Sequence, residues 1–108
     1  EKKLTREDAV EKKLTREDAI EAIKNVMDPE LRLDIWTLGL IYGVEVGEQN
    51  AVSIRMTFTT PACPYAPQLV ADLKGQMMEA GFQEPEIEYV FDPPWAPSDE
   101  VKMLLGLM

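Results

Sequence analysis

The stretch TTPACPYAP, Thr59 to Pro67, holds the only cysteine of the chain, Cys63, between Pro61-Ala62 and Pro64. A single thiol cannot close an internal disulfide, so its chemistry is that of a nucleophile, a metal ligand or a small buried hydrophobe. Leu69, Val70, Leu73, Met77 and Ala80 follow at helical spacing up to Gly81, which predicts a helix over about Pro67 to Ala80. A thiol just ahead of a helix N-terminus meets the positive end of the helix dipole, which favours the thiolate and hence nucleophilicity or metal ligation. Pro64 and Pro67 stiffen the approach. Thr59 and Thr60 bring hydroxyls close to the thiol; strand alternation already accounts for Thr59, so Thr60 is the better partner.

Other residues join this chemistry only if the fold brings them there. Asp28 and Glu30 either orient or deprotonate the thiol, or serve as an ordinary Asp-Pro turn. Asp92 faces the same choice between the site and its own turn. Trp36 and Trp95 lie in two other irregular segments, where they wall a cleft, dock a partner or simply cover the edge of the core. Absences narrow the chemistry. Without histidine there is no Cys-His hydrolase pair and no histidine metal site, and a lone cysteine excludes CxxC redox chemistry and a private four-thiolate cluster site. No glycine-rich phosphate loop is present, so no nucleotide is expected.

The elements that must position these residues follow from periodicity. Thr15-x-x-Asp18 reads as a capping box, and Ile20, Ile23, Val26 and Met27 follow at helical spacing, predicting a first helix that ends near Asp28-Pro29. PELRLDIWTLG reads as a non-periodic loop. In LIYGVEV, Tyr42, Val44 and Val46 alternate with Gly43 and Glu45 as strand one. After the turn GEQN, Val52, Ile54, Met56 and Phe58 share one face of strand two, with Ser53, Arg55, Thr57 and Thr59 on the other. Strand three, EIEYVF, places Ile87, Tyr89 and Phe91 together and stops at Asp92-Pro93-Pro94-Trp95. Ser98 to Leu105 adds a short helix. The expected fold is α/β, a two-layer sandwich in α-β-β-α-β order, with helices covering one face of a three-stranded mixed sheet. A crossover helix makes strands two and three parallel. The DPELRLDIWTLGL, TTPACPYAP and DPPWAP segments then converge at one sheet edge.

At 108 residues and 45% apolar content the chain is the size of one domain. No apolar run approaches a membrane span, and the charged N-terminus lacks a signal-peptide core, so the reducing cytoplasm is the expected compartment, with no membrane partner. The net charge is −9, and residues 1–20 hold six basic and six acidic side chains, so the whole excess lies in residues 21–108. Such a surface repels nucleic acid. The N-terminus repeats EKKLTREDA once, with Val10 becoming Ile20. Ten residues turn a helix by about 1000°, which sets the two apolar stripes roughly 80° apart. Both copies cannot use one core-facing stripe. Residues 1–13 are therefore expected to be a duplicated extension outside the core, and residues 14–108 a single domain.

DPEL, LGLIYGVEV, MTFTTPACP and DPPWAP, in this order and spacing, resemble the small iron-sulfur cluster assembly domain family, which includes SufT-type proteins, PaaD-type subunits and the cytosolic iron-sulfur targeting subunits. The resemblance runs from Leu14 to Gly106. It implies an α/β sandwich and a role in maturing iron-sulfur proteins, with the family's cysteine on Cys63, its acidic motif on Asp28 and Glu30, and its threonines on Thr59 and Thr60. Its Asp-Pro-Pro-Trp element falls on Asp92, Pro93, Pro94 and Trp95; Asp92 is expected to support the cleft with Asp28, Glu30, Thr59 and Thr60, and Pro93, Pro94 and Trp95 to dock a partner together with Trp36. PaaD-type relatives carry extra C-terminal cysteines that this chain lacks, so a SufT-like accessory role fits better. On this reading Cys63 is one ligand or docking point while iron or a transient iron-sulfur cluster passes to a client protein. One thiolate cannot hold a cluster that takes four protein ligands, so the others come from a client, a carrier or a second subunit, a homodimer being one such arrangement. The competing reading is an adaptor that recruits clients without touching metal. A cysteine-nucleophile enzyme with Asp28 or Glu30 as base lacks a histidine or oxyanion motif, so no catalytic residue is assigned. The family also resembles RNA-binding KH modules in shape, but neither a GXXG loop nor a basic surface is present.

Overall fold

A computed structural model describes residues 13–60 and 63–106. The first decapeptide copy lies outside the described residues, so the expectation about it stays an expectation; Leu14, by contrast, is half-buried against the core, and its N–H donates to Asn50 Oδ1 at 2.9 Å.

Helix α1 spans Arg16–Ile23 and starts as its sequence dictates. Thr15 Oγ1 accepts from the Asp18 N–H at 3.2 Å while Asp18 Oδ2 accepts from the Thr15 N–H at 2.8 Å, a reciprocal capping box. The helix stops a full turn before Asp28-Pro29. Proline disfavours the α conformation of the residue before it, and residues 26–35 fold back on themselves instead. Asp28 N–H donates to the Leu33 carbonyl at 2.9 Å and Ile35 N–H to that of Val26 at 3.0 Å, with Met27 and Asp34 bridged between them. Val26 still reaches the core, but Met27 is exposed rather than on the core stripe.

The expected loop that follows contains a one-turn helix, α2, Ile35–Leu38. Asp34 caps it by accepting from the Thr37 N–H at 2.9 Å, and Gly39 ends it at φ 83°, a left-handed conformation that suits glycine. Strand β1, Ile41–Val46, pairs antiparallel with β2, Val52–Met56, with Val44 opposite Ile54. Helix α3, Ala66–Glu79, returns the chain so that β3, Glu86–Tyr89, lies parallel to β2. The sheet order is β1-β2-β3, the mixed three-stranded sheet read from the sequence. Ala19, Ala22 and Ile23 of α1 and Leu69, Leu73 and Met77 of α3 bury against Val44, Val52, Ile54 and Met56, so both long helices cover one face. Ser98 caps the last helix, α4, Asp99–Leu104, whose Val101 closes the core.

Two strand assignments differ from their alternation. Thr57 was expected on the open face with Arg55, yet it is buried. The segment after β3 bonds back to Leu38 and Tyr42. Strand β3 ends at Tyr89, although the Val90 N–H still reaches the Met56 carbonyl at 2.8 Å. Tyr89 and Phe91 are exposed rather than core, and they lean on Phe58 with ring centroids 5.6 and 6.3 Å away.

Candidate functional site

Cys63 is half-buried against the core cluster, three residues ahead of α3, and its carbonyl accepts from the Ala66 N–H at 3.3 Å. The acidic turn is brought to this loop by a residue the sequence reading did not single out, Tyr65. Its hydroxyl lies 3.2 Å from Asp28 Oδ2, 3.3 Å from Asp28 Oδ1 and 3.1 Å from Glu30 Oε1. The Thr59 side chain bonds the same phenol. Thr59 thus supplies a hydroxyl to Tyr65; Thr60 is exposed. A tyrosine directly after Cys-Pro, at the start of a helix and downstream of an acidic turn, was the available signal.

The electrostatics of this cluster centre on the phenol. Burial pushes Tyr65 above its ordinary value, the Thr59 hydroxyl pulls it partly back, Asp28 and, least of all, Cys63 oppose a second negative charge, and the hydrogen bond to Glu30 holds the proton on the phenol. Tyr65 is thus a persistent proton donor beside two carboxylates. Of the two roles its sequence offered, Asp28 fills that of the turn former. Its Oδ1 accepts from the N–H groups of Glu30 at 2.8 Å and Leu31 at 2.9 Å, which builds the turn, while its buried carboxylate faces Tyr65.

The DPPW segment goes elsewhere. Tyr42 donates to the Pro93 carbonyl at 2.8 Å, and the Trp95 indole N–H donates to the Leu38 carbonyl at 2.6 Å. Tyr42, Pro93 and Pro94, with Gly39, Arg55 and Asp92, border an open cleft of about 710 Å³. Cys63 does not line it. The three converging segments therefore form two neighbourhoods: DPEL with the cysteine loop, and the end of the α2 segment with DPPW. Trp95 and Trp36 are half-buried and pack on the core, so the core-covering role describes their contacts. Pro93, Pro94 and Asp92 are exposed. Among the described residues no three Cys, Asp or Glu side chains stand close enough together to hold a metal ion.

Comparison with known proteins supplies the family. The chain is 37% identical over 86 residues to the iron-sulfur protein maturation auxiliary factor SufT of Staphylococcus aureus, covering 76% of this chain and 98% of that protein. It is 37% identical over 90 residues to the auxiliary factor YitW of Bacillus subtilis, covering 80% and 88%. A conserved hypothetical protein of Thermotoga maritima superimposes with a TM-score of 0.76 at 41% identity, covering 88% of this chain and 97% of that one. A Mycobacterium tuberculosis protein described as associated with iron-sulfur complex assembly and repair gives a TM-score of 0.52 at 32% identity, covering 84% and 83%. The profile of the iron-sulfur cluster assembly protein family matches residues 16–80, which span α1, the acidic turn, Cys63 and all of α3. The chain belongs to the iron-sulfur cluster assembly protein family.

Proposed function

We propose that this protein assists the maturation of iron-sulfur proteins, with Cys63 acting as a thiolate ligand or docking point while iron or a cluster passes to a client. The observation that carries this reading is the placement of the only thiol: half-buried, ahead of the N-terminus of α3, on a loop held against the Asp28-Glu30 turn. Relatives named as auxiliary maturation factors support the process. The role is accessory, in keeping with the names of those relatives. Client proteins and cluster carriers are the partners, and they complete the ligand set. The same domain type occurs in an iron-sulfur cluster carrier protein of Deinococcus radiodurans, where the match is 33% identical over 69 residues and spans 19% of that protein. A free thiol of this kind suits the reducing cytoplasm.

Recruitment of clients without metal contact is the second reading, and the exposed Tyr89 and Phe91 favour it, because aromatic side chains at an open edge suit protein docking. Cys63→Ser separates the two. Serine keeps the size and removes the soft ligand. In a reconstituted assay of client maturation, the ligand reading expects a folded variant that still binds client and loses most of the maturation rate. A wild-type rate would refute it in favour of recruitment.

A further inference from the structure

We infer that Tyr65 is a positioning residue whose hydroxyl, shared between Asp28 and Glu30, latches the Cys63 loop to the acidic turn and restricts access to the thiol. The inference deepens the proposed role of Cys63 and rests on that reading for its functional meaning. The geometry is specific. Tyr65 is two residues from Cys63, at the cap position of α3, and its hydroxyl has one proton within 3.1–3.3 Å of three carboxylate oxygens. The needs of those oxygens differ. Asp28 Oδ1 already accepts two backbone N–H groups, at 2.8 and 2.9 Å, whereas Glu30 Oε1 has the phenol as its partner. Thr59, from the other end of the same loop, completes the chain of bonds. Thr59 and Tyr65, which flank Cys63 in sequence, are thus tied through one oxygen to a turn 35 residues before Tyr65, and releasing Tyr65 from that turn requires those bonds to break together.

The latch predicts how thiol access responds when its parts are removed. At one fixed pH and in the absence of metal, the rate of alkylation of Cys63 by iodoacetamide is measured in the folded protein, with circular dichroism as the check on folding. Tyr65→Phe keeps the ring and removes the bonds, and it is expected to raise the rate roughly two- to tenfold, the span of a typical net hydrogen bond. Glu30→Ala, at an exposed position, is expected to raise it about twofold, while Glu30→Gln, which keeps an acceptor and loses the charge, stays near the wild-type rate. The decisive comparison is the double variant Tyr65→Phe/Glu30→Ala, which should react no faster than Tyr65→Phe alone, because Glu30 acts through the phenol. An unchanged rate in Tyr65→Phe overturns the latch. So does a Glu30→Ala increase that survives in the Tyr65→Phe background, since that is the signature of plain charge removal. If Tyr65→Phe does not fold, the Glu30 pair decides: a Glu30→Ala rate equal to wild type, or a Glu30→Gln rate as fast as Glu30→Ala, overturns it. Because no metal is present, failure here is distinguishable from failure of the cluster-transfer reading, which Cys63→Ser tests in the maturation assay.

Discussion

Thr57→Val should stabilise this protein. Thr57 is 1% exposed, and its backbone N–H is used by the Leu40 carbonyl at 2.8 Å, but its hydroxyl has no hydrogen-bond partner among the described residues. Burying a hydroxyl without a partner costs about 1–3 kcal/mol. Valine has nearly the same shape, removes that cost, keeps the β-branch suited to the end of a strand, and can add up to about 0.8 kcal/mol by burying one more methyl group. The net expectation is a gain of about 1–3 kcal/mol. At about 4 °C per kcal/mol for a domain of this size, the thermal midpoint should rise by about 4–12 °C. Thr57→Ser is the control: it keeps the hydroxyl, deletes the buried methyl and should lose about 1 kcal/mol. Thermal unfolding followed by circular dichroism reads both. A lower midpoint for Thr57→Val would refute the reasoning, because it would mean that the hydroxyl is satisfied in solution.

Trp95→Phe should lower the midpoint by about 4 °C, the equivalent of roughly 1 kcal/mol for the lost indole bond to the Leu38 carbonyl; an unchanged midpoint would show that this bond does not hold the DPPW segment in place. Deleting residues 1–10 should shift the midpoint by less than about 4 °C, as expected for a change below roughly 1 kcal/mol, because the first repeat is out of phase with the stripe of α1; a larger loss would show that the first copy packs.

The sequence by itself determined the architecture and much of its punctuation. Alternation in Val52, Ile54 and Met56 and helical spacing in Leu69, Leu73 and Met77 are local signals that survive folding, because each element must bury one face to be stable at all. The capping box at Thr15 and the glycine stop at Gly81, which adopts φ 107°, are likewise decided within a few residues. From these the parallel β2-β3 pair followed, since a single crossover helix leaves no other arrangement. Only the tertiary structure decided how far each pattern runs. Met27 carries the helical period but is drawn into a bridge with Asp34, and Thr57 carries the open-face period but is buried. The site shows the same division. That Cys63 precedes a helix is written in its neighbours. That Tyr65 joins Asp28 and Glu30 to that loop, and that Trp95 turns away to Leu38, depends on bonds between residues more than 30 positions apart. Side-chain hydrogen bonds over such separations have no sequence period, and the three-dimensional path of the chain alone selects which of the available partners meet.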